Sequence, residues 1–121
     1  YELSQLITAD TAGSKPQKIK IQNEEIEVKD WADLSVKFIS WLINNNYLNF
    51  QKLPIYNAAM RDKYFVNNSP EHKDPSKDAK WSDEVNGFFV DTKYSTKMHI
   101  KNILATLQQL EIENLSVEIS F

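Results

Sequence analysis

Two stretches of this sequence repeat apolar residues at the spacing of an α-helix. Asp30 precedes the first as an N-cap, with Asp33 in the position of a capping-box acid, and Asn44-Asn45-Asn46 follows as a C-terminal cap. Ser95 is the predicted N-cap of the second. The apolar positions are Trp31, Leu34, Phe38, Trp41 and Leu42 in the first helix, and Ile100, Ile103, Leu104, Leu107 and Leu110 in the second. Two such stripes require an apolar layer to cover them.

Strand patterns supply that layer. Lys18-Ile19-Lys20-Ile21 and Ile26-Glu27-Val28-Lys29 alternate in polarity, which predicts a β-hairpin. If Asn23-Glu24 is the turn, Ile21 faces Ile26, Ile19 faces Val28, and Lys20 pairs with Glu27, so one face is apolar. Further strands are predicted at Tyr64-Phe65-Val66, Gly87-Phe88-Phe89-Val90 and Leu115 to Phe121.

The resulting prediction is an α+β fold with a mainly antiparallel sheet of about four to five strands, including the N-terminal hairpin, covered by two main amphipathic helices. The length of 121 residues fits one domain over 1–121, with a short helix at 1–9, a linker at 10–17 and the main body at 18–121. Residues 67–80 form a hydrophilic loop. The start at Tyr1, followed by a linker, is consistent with a piece of a longer protein.

Composition excludes several classes of function. The chain has no Cys and no leader pattern, so we expect a cytoplasmic protein without disulfides or cysteine-bound zinc. No apolar run is long enough to cross a membrane. Gly13 and Gly87 are the only glycines, which removes the glycine-rich nucleotide loops and the serine nucleophile elbow. We expect no cofactor and no metal site, since His72 and His99 are the only histidines and form no paired motif.

One carboxylate set has the spacing of a metal-dependent nuclease. Asp91-Thr92-Lys93 follows a strand and Asp83 lies eight residues earlier, so two acids could hold a divalent metal while Lys93 lies near the attacking water. The acid-x-Lys triplet also occurs by chance at Glu27-Val28-Lys29. We therefore expect Asp91 and Lys93 to be solvated residues at a strand end, and His72 to lie in a solvated loop.

Nucleic-acid contact is predicted at the start of the second helix. Lys97 and Lys101 share one helical face, Lys93 precedes the Ser95 cap, and Tyr94 could stack on a base. An ordinary solvated helix face is the competing interpretation. With Arg61 as the only arginine and a net charge of −3, neither bidentate reading of several guanines nor bulk electrostatic binding is expected.

Trp81 stands at the edge of the hydrophilic loop, where it could be an exposed anchor for a partner. The other tryptophans lie in the first helical repeat and are predicted core residues. A protein-binding adaptor, dimerising through Trp81 or the edge of the final strand, is therefore a further alternative.

The order of these pieces resembles an accessory module of bacterial restriction-type and other DNA-defence or mobile-element proteins, often attached to a ParB-like or HNH-type nuclease portion. The resemblance covers Lys18 to Phe121. It is carried by these segments: Lys18-Ile19-Lys20-Ile21, Ile26-Glu27-Val28, Asp30-Trp31, Gly87-Phe88-Phe89-Val90-Asp91-Thr92 and Ser95. It implies a non-catalytic attachment that contacts nucleic acid or another domain or subunit, and it carries over no catalytic residue.

Overall fold

The computed structural model describes all residues from Tyr1 to Phe121. It contains two α-helices, six short strands, and 3-10 helices at Leu3–Ile7 and Phe50–Lys52. The helices are α1 (Trp31–Asn44) and α2 (Thr96–Gln109). The strands are β1 (Lys18–Ile21), β2 (Glu24–Glu27), β3 (Ile55–Tyr56), β4 (Tyr64–Asn67), β5 (Phe89–Val90) and β6 (Val117–Ser120). The predicted α+β class is confirmed.

The strands form two sheets rather than one. β2, β1 and β6 make one antiparallel sheet in that order, and β3, β4 and β5 make the other. The prediction of a single sheet of four to five strands was therefore wrong. Alternation of polarity identifies strands, but pairing between distant strands depends on tertiary packing that local patterns do not contain.

The hairpin forms with a register different from the predicted one. Ile19 pairs with Ile26 and Ile21 with Glu24, while Gln22-Asn23 makes the turn. Gln22 adopts the left-handed conformation, with φ at 56°, and Asn23 does not. Moving the turn by one residue shifts the partners by two, so Ile19 and Ile21 still face the core, where both are fully buried.

The first helix has the predicted N-cap at Asp30 and a C-terminal cap within Asn44-Asn45-Asn46, but Asp33 does not complete a capping box. The Asp30 carboxylate accepts a hydrogen bond from the Asp33 N–H at 2.7 Å, whereas the Asp33 carboxylate accepts from the Lys29 N–H. At the other end Asn46 has φ of 64°, and the Tyr47 N–H donates to the Leu42 carbonyl. This is a Schellman cap with asparagine in the left-handed position. All five predicted apolar positions of the first helix are buried.

The second helix also has both caps. The Ser95 hydroxyl accepts from the Met98 N–H at 3.2 Å. After the last turn, Glu111 adopts φ of 57° and the Ile112 N–H donates to the Leu107 carbonyl, which is a second Schellman cap. Glutamate is an unusual residue there, because its Cβ crowds the backbone in the left-handed region.

Residues 1–9 join the main body closely. The Tyr1 amine and carbonyl exchange hydrogen bonds with Ile119 of β6, and Leu3 and Leu6 are buried. The predicted short helix is present as the 3-10 helix Leu3–Ile7. Twenty-two buried apolar residues from both sheets, both helices and this segment form one cluster. None of the helices is long and apolar enough to cross a membrane.

Candidate functional site

Asp91, the central residue of the nuclease hypothesis, is fully buried. Its carboxylate accepts hydrogen bonds from His72 Nε2 at 2.8 Å, from the Lys80 N–H at 2.9 Å and from the Lys93 N–H at 3.0 Å. The expectation that Asp91 is solvated at a strand end was therefore wrong. A buried charged group requires hydrogen-bond partners, and the carboxylate of Asp91 finds them in the hydrophilic loop and in the residues after β5. These hydrogen bonds join the two segments.

His72 is the loop residue that reaches Asp91. Its side chain is buried, and Nδ1 accepts the Tyr64 N–H at 2.9 Å. Since Nδ1 accepts a backbone N–H, the ring carries its proton on Nε2 and is neutral in this arrangement. The prediction of a solvated His72 was also wrong. The sequence does not reveal its contact with Asp91, because nineteen residues separate the two and no periodic pattern links them.

The side chains of the other two nuclease candidates do not contact this pair. Asp83 is exposed, and the Lys93 ammonium points outward to Asp78, with 3.2 Å between Nζ and Oδ2. No cluster of three or more acidic, histidine or cysteine side chains has the geometry to hold a metal ion. A metal with its water ligands could reach the buried Asp91 only if the loop were displaced.

A second buried histidine lies between the helices. His99 Nδ1 is 2.7 Å from the Ser35 hydroxyl, and Nε2 is 3.2 Å from the Thr92 carbonyl. Burial lowers the pKa of the His99 imidazole, and the Thr92 carbonyl acts in the opposite direction. This histidine holds α2 against α1 in its neutral form, with Nε2 as donor and Nδ1 as acceptor.

Tyr94, the predicted base-stacking residue, packs inward. Its ring lies edge-on to Phe65 and His99, and the Lys63 ammonium is 5.0 Å from its centroid. Burial raises the pKa of the Tyr94 phenol above its usual range, and the charge of Asp91 adds to this effect. A base could stack on this ring only after its neighbours moved.

The lysines near the start of α2 have different roles. The Lys97 ammonium donates to the carbonyls of Leu6, Ile7 and Ala9 at 3.0, 2.8 and 2.6 Å. All three of its N–H bonds hold the N-terminal segment, so none is left for a phosphate. Lys93 and Lys101 stay exposed. A hollow of about 370 Å³ at this end of α2 is lined by Ser95, but also by Asp10, whose charge disfavours an anion.

Trp81, the predicted partner anchor, is only partly exposed. Its ring packs 4.8 Å from that of His72, and its backbone pairs with Asp91. The edge of β6, the other predicted contact surface, is occupied at Ile119 by Tyr1. Neither feature is a freely exposed binding surface.

A groove lies between residues 2–4, the C-terminal half of α2 and residues 112–117, which lead into β6. We call it the α2–β6 groove; its volume is about 450 Å³. Half of its twelve lining residues are apolar: Leu3, Leu104, Leu107, Ile112, Leu115 and Val117. Leu3 and Val117 are buried, whereas the other four are half-buried. Sequence reasoning placed Leu104 and Leu107 in the core, because a wide apolar stripe does not reveal which part of it remains uncovered.

The charged residues that line this groove, Glu2 and Glu113, are both acidic and exposed. Neither forms an ion pair. The groove also adjoins the C-terminal end of α2, which carries the negative end of the helix dipole and has no basic residue in its last turn. The α2–β6 groove therefore has apolar walls and a negatively charged rim.

The sequence matches no protein-family model, and neither a curated protein nor a solved structure shows significant similarity to it.

Proposed function

We propose that this chain is a non-catalytic interaction module that binds another protein through the α2–β6 groove. The observation that carries this proposal is the set of four half-buried apolar side chains on its walls: Leu104, Leu107, Ile112 and Leu115. Apolar side chains in an open groove bind a partner favourably because they lose contact with water on association. The groove has the volume of a site for a few side chains.

The state of the polar side chains supports a non-catalytic role. Asp91, His72 and His99 each use their hydrogen-bonding atoms on neighbouring protein groups and are buried. A general base or nucleophile must reach a substrate at hydrogen-bond distance. These three residues instead connect a loop to a strand and one helix to the other.

Charge and packing favour a protein over nucleic acid as the partner. The groove has an acidic rim, and phosphates would be repelled by it. At the start of α2, Lys97 is engaged with backbone carbonyls and the half-buried Tyr94 ring packs against Phe65 and His99. The restriction-type resemblance fits this proposal if the partner is another domain or subunit of a larger DNA-directed protein.

One observation supports nucleic-acid binding as a second candidate function. Lys93 and Lys101 are exposed on either side of the Ser95 cap. A low-salt gel shift tests it with Lys93→Glu and Lys101→Glu combined. Binding that disappears in this variant would support the candidate. Unchanged binding, or none with the unmodified chain, would reject it.

The protein-binding proposal can be tested without a known partner. Random peptides of about a dozen residues, displayed on phage, are selected on the unmodified chain, and the enriched peptides are synthesised. We expect Leu104→Gln or Leu115→Gln to weaken their binding by about tenfold or more, because each removes an apolar wall of the groove. Met60→Gln is the matched control, since Met60 is 43% exposed and lies outside the groove.

Circular dichroism and thermal unfolding of each variant establish that the fold is retained. If the enriched peptides bind the two leucine variants as tightly as the control, the groove is not the binding surface and the proposal fails.

A further inference from the structure

The rim of the α2–β6 groove carries charge of one sign only. Glu2 and Glu113 line it, and Glu111 lies beside it at the end of α2. Glu111 and Glu113 also line an adjoining hollow together with Lys52, which forms no ion pair with either. No salt bridge within the chain therefore neutralises these acidic groups.

The position of these acids is unfavourable for the isolated fold. Carboxylates near a helix C-terminus are repelled by the dipole, and a basic residue is the favourable choice there. Glu111 additionally occupies the left-handed position of the cap, with φ of 57°, where glycine or asparagine is preferred. Two unfavourable features thus coincide beside the α2–β6 groove.

We propose that the groove binds a segment of a partner protein in which a lysine or arginine is flanked by apolar residues. This inference rests on the proposed function and specifies the partner's chemistry. The apolar residues of the segment contact Leu104, Leu107 and Leu115, while its cation lies between the carboxylates of Glu111 and Glu113. Bringing a positive charge to this end of α2 offsets the repulsion that the free chain contains.

The carboxylates are the expected acceptors for the cation. The carbonyls of Thr106, Leu107 and Gln108 already accept hydrogen bonds from residues 110–112 in the cap of α2. A second copy of this chain is a poorer match for the groove, because both copies carry a net charge of −3.

A charge-reversal selection tests the inference. The same library of random peptides is selected on the unmodified chain, on Glu111→Lys combined with Glu113→Lys, and on Glu24→Lys combined with Glu27→Lys. The last is the matched control: its glutamates are exposed, form no ion pair, lie outside the groove and give the same change in net charge.

We expect peptides from the unmodified chain and from the control to have an excess of Lys and Arg over Asp and Glu, and peptides from the groove variant to reverse that excess. Glu111→Gln combined with Glu113→Gln should weaken the binding of the tightest basic peptide by about threefold to tenfold at low salt, and by less at about 1 M salt.

Three results would overturn the inference, and they are distinguishable. If the selected peptides need Leu104 for binding but have the same neutral composition in all three selections, the partner segment is not basic. The groove would then remain the binding surface. A failure to select any Leu104-dependent peptide would reject the proposed function as well. Sedimentation as a dimer that Leu104→Gln converts to a monomer would identify a second copy as the occupant.

Discussion

Replacing Asp91 tests whether the hydrogen bonds at its carboxylate hold residues 68–80 to the core. Asp91→Ala removes the acceptor of three donors, the buried His72 Nε2–H and the partly buried backbone N–H groups of Lys80 and Lys93. A hydrogen bond to a charged group contributes about 1.5–3 kcal/mol, and the His72 Nε2 proton is left buried without an acceptor, so we expect a loss of about 3 kcal/mol or more. Because domains of this size have stabilities of about 5–15 kcal/mol, the variant should unfold at a much lower urea concentration.

Asp91→Asn separates the contribution of His72 from that of the two backbone donors. The asparagine oxygen can still accept from Lys80 and Lys93, but its amide would face the His72 Nε2 proton. His72 cannot move that proton to Nδ1, because Nδ1 already faces the Tyr64 N–H. We therefore expect a loss of about 1–3 kcal/mol, the cost of one unsatisfied buried donor.

Urea unfolding followed by tryptophan fluorescence measures both variants, since the Trp81 ring packs on His72. Asp83→Asn is the control, because Asp83 is exposed, and its stability should change by less than about 0.5 kcal/mol. If Asp91→Ala costs less than about 1 kcal/mol, the three hydrogen bonds do not hold the loop to the core.

Three further predictions concern Lys97, the cap residue Glu111 and the buried His99. Lys97→Met should lower the free energy of unfolding by about 1–3 kcal/mol and speed amide exchange in residues 1–9, because three carbonyls lose their donor; unchanged exchange would contradict this. Glu111→Gly should raise stability by about 1 kcal/mol in urea unfolding, since glycine relieves the left-handed strain; a loss of stability would contradict it. Burial lowers the pKa of His99, so as pH falls below about 6.5 the unfolded chain binds a proton that the fold excludes, and stability decreases. This slope, measured from neutral pH to about pH 5.5, should be smaller in His99→Gln; equal slopes would refute the assignment.

The sequence predicted the features that depend on neighbouring residues. The Asp30 and Ser95 caps, the C-terminal cap of α1 within Asn44-Asn45-Asn46 and the buried apolar face of α1 are all present, because their chemistry lies within one or two helical turns. The hairpin was also found, although its turn lies one residue earlier. That shift depends on which residue adopts the left-handed conformation, and Gln22 has no strong preference for it.

The features that depend on distant residues were missed. The separation into two sheets and the bond between His72 and Asp91 join parts of the chain that no periodic pattern relates. Lys97 was assigned to a phosphate because its position beside the helix start is visible in the sequence. Its contact with the carbonyls of Leu6, Ile7 and Ala9 is not, because it joins residues about ninety positions apart.

The exposure of the α2–β6 groove was also beyond the sequence, since Leu104 and Leu107 have the same spacing as the buried Ile100 and Ile103. Which part of an apolar helix face remains uncovered is decided by the elements that pack on it. Here the 3-10 helix Leu3–Ile7 and β6 flank the helix, and the groove lies between them.

The most direct test of the interaction-module account is a nuclear magnetic resonance titration of the isotope-labelled chain with a peptide selected on it. The account predicts that the largest amide shift changes fall on Leu104, Leu107, residues 112–117 and residues 2–4, and that Leu104→Gln abolishes them. Changes centred on Lys93 to Lys101 instead, with the groove residues unaffected, would contradict it.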